Sequence, residues 1–289
     1  MAGRILLQTT IPPKQDDWSI ARFGLLTAHL GSLTNADGRP QFDVIARDRV
    51  ETGGTDPVLA TIDDSDFEQL WLFAVDAGDG LLPAECEAIS RFRRSGRGLM
   101  VTRDHMDLGS SICDLAGIGA AHHFHTRNLQ AQDERAIDDP FTSYIKWPNF
   151  HSGANGDFQR IEVVGQPHPV LQDREARGET IHYLPAHPHE GAVSAPSEAP
   201  EARVIAAGRS KVTGRRFNIA VAFEAGPGGG RAIAQSTFHH FADYNWDPRA
   251  GAPSFVDEPA GTGMLDEPKA RADARIYAAN VARWLSHLV

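Results

Sequence analysis

The stretch "VTRDHMDLGSS", residues 101–111, crowds Arg103, Asp104, His105 and Asp107 behind a short apolar run. A carboxylate beside an imidazole is minimal equipment for acid–base chemistry: the carboxylate orients the ring, and the ring exchanges protons near neutral pH. Neighbouring side chains on a continuing strand diverge, so Asp104 and His105 can serve one substrate only if the chain turns here. Arg103 adds a cation suited to gripping a polar substrate. A helix start would need a single Ser or Asp, and Ser110 and Ser111 just downstream already supply one. The charge at 103–105 therefore points to chemistry, with Asp104 and His105 as catalytic candidates.

Three further groups of histidine belong to the same question. "FHHF", residues 238–241, offers His239 or His240 as a partner in proton transfer; on a strand the two face opposite ways, and His239 is preferred. "AHHFHTRN" and "LPAHPHEG" each contain an H-x-H, His123 with His125 and His187 with His189. In an extended segment such a pair faces one side and can offer two imidazoles to a metal, with Glu190 or Asp104 completing the set. The competing reading is of loop histidines that hydrogen-bond backbone or substrate. On it Arg103, His123, His125, His151 and His189, with Trp147, grip the substrate. "HSGANGD", residues 151–157, reads either as a backbone cradle for an anion or as a plain turn.

Cys86 and Cys113 are the only cysteines, too few for a disulfide framework or a thiolate zinc site, which fits a reducing compartment. Cys113 reads as a buried structural thiol inside a helix that follows the charged turn, with Ser110 and Ser111 at its start.

These residues need a scaffold, and 289 residues with 41% hydrophobic and 23% charged content suffice for a large soluble core. The net charge of −10 is dispersed along the chain and no basic stripe is visible, which argues against nucleic-acid binding. No apolar run approaches the ~20 residues that span a bilayer, and the start lacks the pattern of a signal peptide, so a cytoplasmic location without membrane contact is expected.

Short apolar runs at 3–10, 42–48, 69–76 and 96–101 alternate with helical patterns, the order of a parallel, doubly wound sheet. Asp16 or Asp17 caps a helix carrying Ile20, Phe23, Leu26, Leu30 and Leu33, and Pro83 opens another with Ile89 and Phe92 inward. The alternation stops between about 117 and 159, in a long segment rich in His and aromatics. Strand-like runs return at "FQRIEVV", "ARVIAAG", "FNIAVAFE" and "GRAIAQSTF", the last two joined by "GPGGG" as a hairpin. A Pro/Gly-rich stretch, 245–268, reads as a lid or strap. The closing helix shows Tyr277, Val281, Trp284, Leu285 and Leu288 on one stripe.

The exit "GLMVTRDHMD", the helix and "SGRG" turn before it, and the late strand ending "QSTFHH" resemble the class I glutamine amidotransferase-like superfamily, within it the ThuA-like (trehalose-utilisation) branch. The resemblance implies a flavodoxin-like, mostly parallel α/β sheet with helices on both faces. It implies a single domain over 1–289, with a loop-rich insertion at about 117–200 over the carboxyl edge. It also departs from the glutaminases: where they carry a nucleophilic Cys between glycines, this chain has "TRDHMD", so glutamine hydrolysis is not expected.

The expectation is an enzyme, a hydrolase or lyase without a Cys nucleophile, acting on a small polar metabolite such as a sugar derivative. His105 and His239 would move protons and Asp104 would orient an imidazole. No organic cofactor is expected, and a divalent metal on His123, His125, His187, His189 or Glu190 stays open, as does a homo-oligomer. The alternative is a ligand-binding or assembly protein that keeps the fold without catalysis.

Overall fold

The computed structural model describes residues 2–13, 18–50, 54–135, 138, 142, 144–174, 176 and 178–289. The four early apolar runs form strands β1 (Gly3–Thr9), β2 (Phe42–Arg47), β3 (Gln69–Phe73) and β4 (Gly98–Thr102). β5 (Glu162–Val163), β6 (Ala202–Arg209), β7 (Arg216–Phe223) and β8 (Ala232–Gln235) complete one sheet in the order β2-β1-β3-β4-β8-β7-β6-β5. The strands from β2 through β8 in that order pair in parallel, and β7, β6 and β5 continue antiparallel.

Period-two alternation sorts the strand residues into two cores. Ile5, Leu7, Trp71 and Phe73 pack on one face under α1 (Gly24–Gly31) and the closing helix α3 (Pro268–Leu285). Leu6, Leu70 and Leu72 pack on the other, under α2 (Pro83–Arg94) through Ala88, Ile89 and Phe92. Covering both faces is what lets these strands be almost wholly apolar.

The structure departs from expectation at several places. The proposed caps Asp16 and Asp17 lie outside the described residues; Ser19 instead caps a 3₁₀ turn, Ile20–Phe23, that leads into α1. The helix expected directly after β4 does not form, and the first helical turn beyond it is a 3₁₀ turn at Ile118–Ala121. Residues 105–117 form successive turns, with Met106, Gly109, Leu115, Ala116 and Gly117 at positive φ, so Ser110 and Ser111 start no helix. Ser111 instead serves the buried carboxylate of Asp76, through its backbone N–H at 3.0 Å and its hydroxyl at 2.8 Å.

Cys113 is not a free thiol: it is bonded to Cys86 of α2, tying that helix to the turns after β4. The pairing removes the argument from unpaired thiols for a reducing compartment. Phe238–His240 is a 3₁₀ turn capped by Thr237 rather than the end of a strand. "FQRIEVV" splits: 158–160 pairs with 183–185 as a separate ladder, and only 162–163 joins the sheet. α3 ends at Leu285, leaving Leu288 exposed. Among the described residues no helix is long and apolar enough to cross a membrane.

Candidate active site

Four parallel strands, β1, β3, β4 and β8, end on the same side of the sheet, and a cavity of about 400 Å³ opens there. Ile11 follows β1, Val75 and Ala77 follow β3, Asp104, His105 and Leu108 follow β4, and Phe238 and His239 follow β8. The carboxyl edge of a doubly wound sheet is where such crevices form. Loops close the rest: Tyr144, Ile145 and Asn155 from one side, His187 and His189 from another, and Phe255 to Glu258 of the Pro/Gly-rich stretch.

The chain does turn at Asp104, and the turn brings its side chain together with that of His105. Leu108 N–H returns to His105 O at 3.0 Å, and Gly109 at φ 85° packs so tightly that a Cβ there would lie 2.9 Å from Ala74 O. His105 Nδ1 then reaches Asp104 Oδ2 at 2.8 Å. Thr237 Oγ1 donates to the other carboxylate oxygen at 2.7 Å, linking β4 to the turn after β8.

Gly191 lets the "PHEG" loop approach: a Cβ there would stand 2.4 Å from Asp104 O and 2.7 Å from Ser236 O. With that loop in place, His187 Nε2 lies 3.5 Å from Asp104 Oδ2, and His239 Nε2 lies 3.6 Å from it. The His187 and His239 rings stack at 3.4 Å between centroids. One ligand atom from each of Asp104, His187 and His239 lies within 4.8 Å of the others, a buried group of metal-ligating type.

Three asparagines set the imidazoles. His187 Nδ1 meets Asn155 Oδ1 at 2.9 Å, His239 Nδ1 meets Asn245 Oδ1 at 3.1 Å, and His189 Nδ1 meets Asn149 Oδ1 at 3.0 Å. The amide of Asn245 is oriented by its own donation to Ala186 O at 3.0 Å and to Asn155 Oδ1 at 2.9 Å. Its oxygen therefore faces Nδ1 of His239. Tyr244 OH lies 2.8 Å from the same nitrogen.

Burial, reinforced by the neighbouring His239, pushes His187 well below the ordinary imidazole range. Burial alone would raise Asp104, but the imidazoles of His187, His239 and His105 outweigh it and hold the carboxyl well below the usual range. Asp104 is ionised. Burial also drives the Tyr244 phenol well upward, so it stays protonated.

The remaining sequence candidates lie elsewhere. Arg103 is buried against the Phe124 ring at 4.3 Å, bonded to Met106 O, and does not line the cavity; burial pushes it down to about 9, against the pull of Asp104 and Asp107. His123 bonds Asn128 O and Ser194 Oγ, both at 2.6 Å, while His125 is exposed. His151 reaches Pro188 O at 3.2 Å, and Trp147 is buried. None of these lines the cavity. Glu190 and His240 sit together on the far side, 3.4 Å apart. Of the H-x-H pairs only the second, His187 with His189, faces the cavity.

Asn149, Asn155, Asn245, Tyr244 and Trp18 were not singled out by the sequence. Loop asparagines ordinarily read as turn formers, although Asn155 lies inside "HSGANGD". There it supplies a side chain, and neighbouring Ser152 bonds the His187 backbone at both N–H and C=O.

No protein-family profile matches the chain, and no curated protein matches it in sequence. Solved structures do. The chain is 13% identical to a ThuA-like protein from Parabacteroides merdae, with a TM-score of 0.55 over 99% of this chain and 90% of that one. It is 13% identical to the N-terminal domain of mmIFT52, with a TM-score of 0.54 over 98% and 97%. A cytoplasmic protein from Salmonella typhimurium gives 9% identity and a TM-score of 0.50 over 98% and 99%. The fold implied by the resemblance, an α/β sheet of the ThuA-like kind, is the fold of this chain.

Proposed function

We propose that the protein is an enzyme, a hydrolase or lyase, that acts on a small polar metabolite by His/Asp acid–base chemistry in the cavity at the carboxyl edge. The observation that carries this reading is the Asp104–His105 pair. Its 2.8 Å bond engages Nδ1 of His105 and leaves Nε2 as the nitrogen available on a side chain that lines the cavity. A carboxylate that receives Nδ1–H fixes the tautomer in which Nε2 is the base. His105 thus takes a proton from bound substrate or water, and Asp104 stabilises the imidazolium that results. Proton transfer falls to His105 rather than His239, because His239 Nε2 is turned to Asp104.

A sugar derivative suits the lining. Trp18, Phe238, Tyr244 and Phe255 offer aromatic faces to the C–H side of a pyranose, while Asp257 and Glu258 offer acceptors to its hydroxyls. Glutamine hydrolysis is disfavoured, since the turn after β4 carries no thiol and both cysteines are bonded to each other.

The test is turnover of a panel of sugars, keto-sugars and sugar acids followed by NMR, on wild type and His105→Ala in parallel. The expected result is one consumed class, with His105→Ala slower by ~10²–10⁴-fold and its thermal melt within about 1 kcal/mol of wild type. Saturable binding without turnover would replace this reading by the non-catalytic alternative. Unchanged turnover in a folded His105→Ala would remove the base from His105.

A further inference from the structure

We infer that Asp104 Oδ2, His187 Nε2 and His239 Nε2 are the three protein ligands of one first-row divalent cation whose remaining coordination positions open into the cavity. The inference gives chemical content to the function proposed above, yet it stands on hydrogen-bond accounting alone. Nδ1 of both rings meets an asparagine oxygen, and in the tautomer that donates to those oxygens a neutral imidazole keeps its lone pair on Nε2. Both Nε2 atoms then face the same carboxylate oxygen, at 3.5 and 3.6 Å, too far for a good direct hydrogen bond. Three electron-rich atoms converging in a buried space repel one another unless a cation lies between them.

Protons alone serve poorly. No proton bridges either gap well, since both separations to Asp104 are 3.5 Å or more. His187 Nε2 in fact has no hydrogen-bond partner although it is fully buried. A metal ion satisfies all three atoms together. Bonds of roughly 2.1 Å at tetrahedral or octahedral angles set ligand atoms about 3.0–3.4 Å apart, close to the two separations to Asp104.

The shell around these ligands is of the kind that metal histidines require. Each ligating ring donates Nδ1–H to a fixed acceptor, and Thr237 holds the second oxygen of Asp104. Two imidazoles and one carboxylate favour zinc, iron(II), cobalt(II) or manganese(II) over calcium or magnesium, which prefer all-oxygen sets. Such an ion supplies Lewis acidity toward a carbonyl, hydroxyl or water at the cavity side. His105 stands beside it through the shared Asp104 oxygen, placed to accept a proton from whatever occupies the open position.

The experiment uses the untagged full chain, stripped with chelator and titrated with Zn²⁺ or Co²⁺ alone, with no substrate present. One equivalent should bind per chain. His187→Gln and His239→Gln should each weaken binding at least ~100-fold, and Asn155→Ala, which removes the acceptor shared by His187 Nδ1 and the Asn245 amide, about 10–100-fold. His125→Gln should leave stoichiometry and affinity unchanged. Nitrogen NMR of the imidazoles should show metal-dependent shifts at Nε2 of His187 and His239 with Nδ1–H retained, a readout available on wild type even if a Gln variant misfolds. A folded metal-free protein that takes up no equivalent, or uptake that survives both Gln variants, would overturn the inference. Because the count is made without substrate, that failure is separable from a failure to find turnover.

Discussion

Two buried histidine–carboxylate clusters lie back to back around His239 and His240, and the partners of their ring nitrogens differ. In the rear cluster, Tyr277 OH donates to Gln235 Oε1, which turns the Gln235 amide nitrogen onto His240 Nδ1 at 2.6 Å. His240 Nε2 then faces Glu190 at 3.4 Å and the Gln159 amide nitrogen at 3.1 Å. Ser236 and Gln159 donate to the two oxygens of the same carboxylate. In the front cluster asparagine oxygens, not an amide nitrogen, meet Nδ1 of His187 and His239, the arrangement that suits lone pairs on the nitrogens facing Asp104. In the rear cluster both ring nitrogens and both carboxylate oxygens have close partners, while in the front cluster His187 Nε2 has none. The amide atom that meets the far nitrogen sets this difference.

The contrast is sharpest if the rear cluster can be broken without chemistry being lost. Glu190 is fully buried, and removing it strands His240, Ser236 and Gln159. Glu190→Ala should cost about 3–5 kcal/mol of stability, read by urea denaturation, while turnover per folded molecule stays near wild type. Metal uptake should also be retained. A Glu190→Ala protein of normal stability with abolished turnover would invert the roles assigned to the two clusters.

The front cluster rests on irregular turns, so a cross-link matters there more than at the rear. Cys113 lies in those turns and Cys86 in α2, a sequence separation of 27. Closing a loop of that length lowers the entropy of the unfolded chain by an amount worth about 3.5 kcal/mol. Cys86→Ser, or wild type under reductant, should lose roughly that much. Amide exchange should rise in residues 105–117 ahead of 236–241. Equal stability with and without reductant would show that packing alone holds the turns.

How much of this the sequence revealed follows from the same difference. Strands β1, β3 and β4 were legible because burial on two faces demands apolar runs, the half-buried edge strand β2 by its short run "FDVIAR", and α2 because Pro83 and the Ile89/Phe92 spacing mark it. The helix expected after β4 was not there: Met106, Leu115 and Ala116 take positive φ, which no propensity announces in non-glycine residues. Asp104, His105 and His239 stood out by type and by position at strand ends. Joining His187 to them depended on a loop folding back through Gly191, a long-range contact without periodicity. Asn155 and Asn245 carried no signal, since their role exists only relative to rings distant in sequence.

The smallest expected effect uses a third buried imidazole, His168, which belongs to neither cluster and gives the baseline for a histidine held neutral by packing. Its Nδ1 accepts Val170 N–H at 3.3 Å, its Nε2 faces the half-exposed Glu224 at 3.3 Å, and its ring lies 4.7 Å from that of Trp284. Burial, with Arg203 and Arg231 nearby, pushes it down to about 3. The unfolded chain titrates near 6.5, so between about pH 6.5 and 3 the unfolded state binds a proton that the folded state refuses. The stability contributed by this neutral ring is complete above pH 6.5 and falls as pH drops through that window, by up to about 1.4 kcal/mol per pH unit. His168→Gln should therefore be less stable than wild type at pH 7.5, yet lose stability more slowly on acidification. Urea midpoints taken from pH 7.5 to 4.5 read the slope directly. Parallel slopes for the two proteins would mean that His168 accepts its proton in the folded state, and that packing alone does not keep a histidine neutral in this fold.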